Sequence, residues 1–331
     1  MKKKIAVVTG GAGFIGSHMV DLLLSKNFRV HVIDNLSGGH RKNLKQHSKN
    51  PNFKFEKLDI CKLKPKNKIF KNTAYVFHFA GIGDIVPSIE NPANYMMTNV
   101  QGTINVLESA RYAKVKKLVY AASASCYGIT NKRVRENCKI SLEHPYALSK
   151  YLGEKSVFHW NKVYGLPINS LRIFNAYGKR VRTTGAYGAV IGVFFKQKIK
   201  NKPLTVVGDG KQSRDFVHVT DVAKAFLAAA KTRYAGSIYN VGTGNPQKIN
   251  YLTNLIGGKK VFISDRPGES KHSCADISKI KRELKWKPTI NFKDGITDML
   301  NEIQKWKDAP LWTPKKIKKA TKIWFKLLRK K

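Results

Sequence analysis

Tyr146 and Lys150 stand four residues apart in the run Pro145-Tyr-Ala-Leu-Ser-Lys150, a spacing that on a helix places a phenol and an ammonium on one face. An ammonium beside a phenol draws its pKa down towards neutral, giving a base able to take a proton from an alcohol. Ser123, in the run Ser123-Ala-Ser-Cys-Tyr-Gly128, adds a hydroxyl that can bond the same oxygen. Tyr and Lys at this spacing also occur as an ordinary amphipathic pair. The pair gains meaning only if other elements bring it a reaction partner.

Such elements stand at the start of the chain. Ile5 to Val8 read as one buried strand, and Phe14, Ile15, Met19, Val20, Leu22, Leu23 and Leu24 recur at helical spacing. Gly10, Gly13 and Gly16 lie at the junction, where the chain must turn, admit a phosphate to the backbone and pack helix on strand. Glycine turns of this kind also occur with no ligand. A second strand, Arg29 to Ile33, ends in Asp34, at the distance where a carboxylate accepts from an adenosine ribose. Turn, strand and acid together predict a dinucleotide site, and the acid favours NAD over NADP. Arg41 and Lys42 nearby weaken that preference.

Further strands are expected at Phe53 to Leu58, closed by Asp59 and Ile60, at Ala74 to Phe79 and at Lys117 to Ala122. Long helices are expected from Asn91 to Ala113 and from Pro145 to Val163. Strands alternating with helices predict an α/β fold, a Rossmann doubly wound parallel sheet with a smaller α/β substrate-binding lobe. The expected division is an NAD-binding domain over 1–165 with segments from the later chain, an intermixed lobe over 166–300, and a tail over 301–331. In the lobe, 185–200 reads as a loop and helix over the substrate, 221–230 and 277–284 as helices.

At 331 residues the chain has ample material for a core, and 62 Lys and Arg against 21 Asp and Glu give a formal charge of +41. The lysines are spread over nearly every surface segment and no nucleic-acid recognition motif accompanies them, so no specific nucleic-acid partner is expected. Cys61, Cys126, Cys138 and Cys274 have no paired spacing, which argues against disulfides or a metal site. With no apolar run of eighteen residues and no cleavable leader, the expectation is a soluble, cytoplasmic protein. The segment 315–331 carries Ile317, Ala320, Trp324, Leu327 and Leu328 on one side, lysines elsewhere, and no acid. It either packs on its own protein or lies on anionic lipid.

The set Gly10, Gly13, Gly16, Ser123, Tyr146 and Lys150 resembles the extended short-chain dehydrogenase/reductase superfamily. Asp34-Asn-Leu-Ser-Gly38, Phe79-Ala-Gly81, Arg172-Ile-Phe-Asn175, Gly208-Asp-Gly-Lys-Gln-Ser-Arg214, Tyr239-Asn-Val-Gly242 and Arg266-Pro-Gly-Glu269 resemble NAD-dependent nucleotide-sugar epimerases of the UDP-glucose 4-epimerase type. The resemblance covers about residues 4–300. It implies that Gly10, Gly13, Phe14, Ile15, Gly16, Asp34, Asn35, Asp59, Ile60, Phe79, Ala80, Gly81, Asn99, Tyr146 and Lys150 hold NAD. It further implies that Ser123, Ser125, Asn175, Arg214, Arg266 and Ser273 meet a UDP-sugar, and that the two long helices pair in a homodimer. Arg214 could instead be a structural partner of Asp215.

The family reaction makes Tyr146 the base at the C4 hydroxyl while the C4 hydride passes to NAD and returns to the other face of a 4-keto sugar. Related 4,6-dehydratases carry an Asp-Glu pair directly after the hydroxyl residue, and decarboxylating relatives keep the Glu; here Ala124 and Ser125 stand there. Dehydration and decarboxylation are therefore disfavoured. Ser273, where some members place a bulky tyrosine, leaves room for an N-acetyl group. A uronic acid substrate, a net reductase and a non-catalytic NAD-binding scaffold remain as alternatives.

Overall fold

The computed structural model describes residues 3–181, 190–265 and 269–328. Seven parallel strands form the central sheet: β1 (Ile5–Thr9), β2 (Arg29–Asp34), β3 (Phe53–Lys57), β4 (Thr73–His78), β5 (Lys117–Ser123), β6 (Ile168–Ile173) and β7 (Ser237–Val241). Their order across the sheet is β7-β6-β5-β4-β1-β2-β3. The chain runs outward from β1 to β3, then crosses back to β4, so the order reverses between β1 and β4. In a doubly wound sheet a ligand enters at that switch point, at the carboxyl ends of the strands.

Both faces of the sheet are covered, as its apolar strands require. Along β1, Ala6 and Val8 join a core with Val30, Val32 and Phe77, while Val7 faces Ile33, Val76 and Leu118 on the other side. A third core, around Phe194, Phe195, Leu204, Phe216, Phe292 and Trp306, belongs to the second lobe. That lobe is stitched by short strands, Leu204–Val207 with Lys260–Ile263 and Phe216–His218 with Asn175–Tyr177.

The helix expected from Asn91 to Ala113 is helical throughout but not uniform. It starts at Pro92 under the Asn91 side chain, widens into a π turn over Met97–Gln101, and continues as α-helix over Gly102–Tyr112. The helix Pro145–Tyr164 begins with Pro145 at its first turn and the His144 ring accepting from Ala147 N–H (3.1 Å). Gly165, at φ +63°, ends it.

Candidate active site

The three glycines of the first turn divide the work. Gly10 sits at φ +69°, and a Cβ there would lie 2.6 Å from Ala80 N, so β1 and β4 approach too closely for any side chain. A Cβ on Gly16 would lie 2.2 Å from Gly10 O, which lets the first helix, Phe14–Ser25, rest on the strand end. At Gly13 a Cβ would meet only Gly10 O, at 3.1 Å, and otherwise point into open space. Gly13 caps the helix with no side-chain bond and no acid follows in the first turn, so a positive helix end with free N–H groups faces that space. The cradle fits a pyrophosphate.

Asp34 is buried; its Oδ2 accepts from Ala12 N–H (2.9 Å) and its Oδ1 from Leu36 N–H (2.8 Å). Burial raises its pKa against those two bonds, and each oxygen keeps a lone pair for a ribose hydroxyl. Asn35 donates to Asp59 Oδ2 (3.0 Å), and Asp59 Oδ1 accepts from Cys61 N–H (2.8 Å). Burial opposes ionisation of Asp59, but these bonds outweigh it and hold the pKa low. Ile60 packs where Gly102 leaves room, Phe79 stacks on Phe226 at 4.4 Å, and Ile15 packs partly buried on the core. Phe14 meets His18 edge-on at 6.2 Å.

Asn99 proves to be a brace. From the π turn its Oδ1 accepts from Ile82 N–H (2.9 Å), and its Nδ2 donates to Ile82 O (3.0 Å) and Ser149 Oγ (2.9 Å). It thus fixes the Phe79–Ile82 segment that follows β4. A buried chain supports the same segment: Ala80 N–H donates to Thr9 Oγ1 (3.3 Å), which meets His78 Nδ1 (2.7 Å), while His78 Nε2 meets Thr103 Oγ1 (3.0 Å). Thr103 itself donates to Asn99 O (2.7 Å), so it accepts from an Nε2–H tautomer of a neutral imidazole. Burial lowers the His78 pKa to about 3, in keeping with that form. The sequence showed none of these bonds, whose partners are up to 71 residues apart.

Ser123 ends β5; its hydroxyl bonds Ser125 Oγ (2.8 Å), and it shares the cavity wall with Tyr146. Tyr146 lies between the stacked His144 ring (5.9 Å) and the edge of Tyr95 (6.3 Å). The expected lowering of its pKa by Lys150 is not what this state shows: burial raises the phenol, and the neighbouring Ser123 hydroxyl opposes it. Lys150 is itself buried over the Tyr120 ring at 4.4 Å, and desolvation, only partly offset by Glu154, lowers its pKa to about 7. An ammonium held that weakly is a poor local field for a neighbour. Glu154 is taken up by Arg172 in a buried pair at 2.6 Å.

Ser123, Ser125, Tyr146, Asn175, Arg214 and Ser273 all line one cavity of about 470 Å³. Arg214 pairs with Glu269 at 2.7 Å. It does not pair with Asp215, whose buried carboxylate accepts from the N–H groups of Thr243 (2.6 Å), Gly244 (2.9 Å) and Ala275 (2.9 Å). Arg266 and 185–189 lie outside the described residues; the helix expected after them runs Val190–Ile199. The cavity also brings in Asp84, Glu143, Ile317 and Trp324, which sequence reasoning missed. Only Asp84 gave a hint, standing just beyond Phe79-Ala-Gly81 in the motif after β4.

A glycine turn at the switch point of a parallel sheet, with Ser123 at the end of a neighbouring strand and Tyr146 and Lys150 on the helix Pro145–Tyr164, defines an enzyme of the short-chain dehydrogenase/reductase type. The chain belongs to the NAD dependent epimerase/dehydratase family, whose sequence profile matches residues 6–242. It is 40% identical over 304 residues to a putative UDP-glucose 4-epimerase of Methanocaldococcus jannaschii, spanning 89% of this chain and 97% of that protein. It is similar in structure to UDP-N-acetylglucosamine 4-epimerase from Methanobrevibacter ruminantium in complex with UDP-N-acetylmuramic acid, at TM-score 0.85 and 33% identity, over 92% of this chain and 98% of that one. A further likeness, at TM-score 0.84 and 30% identity over 91% and 99% of the chains, is UDP-glucuronic acid 4-epimerase from Bacillus cereus in complex with UDP-glucuronic acid and NAD.

Proposed function

We propose that the protein catalyses NAD-dependent 4-epimerisation of an uncharged UDP-hexose, of the glucose/galactose pair or its N-acetylated counterpart. What carries the reading is Ser123 and Tyr146 standing together on the wall of the substrate cavity, with Ala124 and Ser125 where eliminating relatives need carboxylic acids. Tyr146, ionised, takes the proton of the C4 hydroxyl, and Ser123 holds the same oxygen. NAD, when bound, would supply the acceptor and donor for the C4 hydride. When the sugar has presented its other face, Tyr146 returns the proton to the C4 oxygen.

Gly10, Gly13 and Gly16 would hold the pyrophosphate of NAD, Asp34 its adenosine ribose, Phe79 and Ala80 the channel, and Lys150 the nicotinamide ribose. Asn175 and Arg214 would hold the nucleotide and diphosphate of the substrate, a task suited to the planar fork of arginine. Binding energy from that remote part then orients the sugar. Asp84 and Glu143 line the same cavity; a uronic acid is kept as the alternative substrate. Ser273, small and on the cavity wall, leaves room for an N-acetyl group. The two long helices expose Met97, Tyr112, Leu152, Val163 and Tyr164 by 38–54%, a stripe that supports a homodimer.

Incubating the protein separately with UDP-glucose, UDP-N-acetylglucosamine and UDP-glucuronic acid, then resolving the 4-epimers by chromatography, tests the reading. A galacto-configured product from either of the first two, absent with Tyr146→Phe, is expected. Turnover of UDP-glucuronic acid alone would move the substrate to a uronic acid. No product from any of them, despite bound NAD, would favour the scaffold alternative.

A further inference from the structure

The C-terminal segment begins as a capped helix. Thr313 Oγ1 accepts from Lys316 N–H (3.3 Å), Pro314 occupies the first turn, and the helix runs Pro314–Ala320. The Thr321 hydroxyl then donates to Ile317 O (2.9 Å), and a second helix follows over Lys322–Leu327. Ile317, Thr321 and Trp324, spaced four and three apart, form one stripe and are 7%, 3% and 2% exposed. Lys315, Lys316, Lys318, Lys319, Lys322 and Lys326 are all exposed. The apolar stripe is therefore turned into the protein.

What it meets is the substrate cavity. Ile317 and Trp324 line the same space as Ser123 and Tyr146. The second tail helix packs against the short helix Ile85–Glu90, which directly follows Asp84 on the cavity wall. Tyr95 donates to Asp84 O (3.0 Å) and lays its ring edge on Tyr146, so this region is tied to the catalytic end. The first part of the segment is anchored to the helix Val190–Ile199, itself a wall of the cavity. Lys196 Nζ donates to Lys307 O, Gln197 Nε2 to Trp312 O (2.7 Å), and Phe195 meets Trp306 edge-on at 5.0 Å.

We propose that the C-terminal helix pair closes the sugar end of the substrate cavity, with Ile317 and Trp324 as the apolar wall that keeps the oxidised sugar in place until it is reduced again. The inference rests on the epimerase reading. Oxidation takes a hydride from C4 and a proton from its hydroxyl, and both must come back to the same molecule. A ketone that leaves early carries away neither: one hydride stays on the cofactor, one proton goes to solvent, and the protein stops for want of oxidised NAD. Trp324 offers a large, stiff apolar surface, and a dry wall also strengthens every polar contact inside. Trp324 and Ile317 are thus positioning residues.

The test pairs a partition measurement with one that needs no turnover. Trp324→Ala, Ile317→Ala and the conservative Trp324→Phe are incubated with the UDP-hexose that the wild-type protein turns over. Free 4-keto sugar is trapped by hydroxylamine, reduced cofactor is read at its near-ultraviolet absorbance, and UDP affinity is measured by calorimetry. The expected result is at least a tenfold rise in ketone released per turnover for Trp324→Ala, matched one for one by reduced cofactor, with UDP affinity within twofold of wild type and recovery in Trp324→Phe. Folded Trp324→Ala and Ile317→Ala proteins that partition as wild type would overturn the inference. Separately, amide exchange over 314–327 is followed in Tyr146→Phe with UDP alone and with each UDP-hexose. Exchange at least threefold slower with a UDP-hexose supports the wall; equal exchange with bound UDP-hexose and with UDP overturns it. A wild-type protein that binds UDP-hexoses and turns over none sinks the epimerase reading, while the exchange result still decides whether the tail faces the sugar.

Discussion

Lys150 carries the clearest pH signature in the site. The unfolded chain keeps its proton up to about pH 10.5, whereas burial in the fold lowers the pKa to about 7. Between those values the unfolded state binds more protons, so this group makes the stability of the cofactor-free protein rise with pH across that window. Below about pH 7 the cost of burying the ammonium is fully present. Melting curves of cofactor-free wild type and Lys150→Met from pH 7 to 10 should differ in slope, the wild type gaining more. Tyr146→Phe belongs to the same scale: it removes the proton acceptor and should lower kcat by about 10²–10⁴-fold while leaving UDP affinity unchanged by calorimetry. Tyr146, Lys150 and Ser123 were legible because reaction chemistry demands those types and a helix fixes a spacing of four. Asn99 was named through the resemblance alone; its bonds to Ile82 and Ser149, like those of His78 to Thr9 and Thr103, appear only in the folded sheet, and the field on Tyr146 depends on burial, which no spacing encodes.

Among the elements, the first turn separates structure from binding. Gly16→Ala would drive a methyl into Gly10 O and should destabilise the fold by about 1–3 kcal/mol through overpacking. Gly13→Ala points its methyl into the open cradle; it should melt near wild type yet bind NAD at least tenfold more weakly, as calorimetry would show. The buried Glu154–Arg172 pair makes a second case. Ser170 Oγ also donates to Glu154 (2.8 Å), and Arg172 Nη1 donates to Glu136 O (3.1 Å). Glu154→Gln would strand the guanidinium, at a cost of about 3–5 kcal/mol in denaturant unfolding. Strands β1, β2, β4 and β5 could be read from β-branched and apolar runs bounded by turn signals, and β3, Phe-Lys-Phe-Glu-Lys, from its alternation. The π turn in the long helix 92–112 could not. It follows from Asn99 reaching Ile82, a long-range bond with no local trace.

At the scale of the molecule, the chain's charge, assembly and tail come together. The homodimer we propose buries the stripe on the two long helices; light scattering should give twice 37.3 kDa, and Leu152→Glu should give the single-chain mass. Among the described residues no helix is long and apolar enough to cross a membrane. The tail turns Ile317 and Trp324 inward but leaves Leu327 of the expected apolar side 57% exposed beside its lysines; with most of the stripe covered, any binding to anionic vesicles should fall away as salt rises, as expected for binding carried by charge. The sequence showed that the tail is amphipathic but not what its apolar side covers, since periodicity names a face and not its neighbour.

The central claim is that the C4 hydride leaves a sugar and returns to the same one. It is tested most directly by supplying UDP-hexose deuterated at C4 together with unlabelled UDP-hexose and examining the epimer by mass spectrometry. The account predicts that each labelled molecule keeps its deuterium at C4, with no transfer to unlabelled molecules and none to water. Washout of the label into solvent would show proton abstraction from carbon in place of hydride transfer, and would contradict the assignment of Tyr146 as a base acting on oxygen.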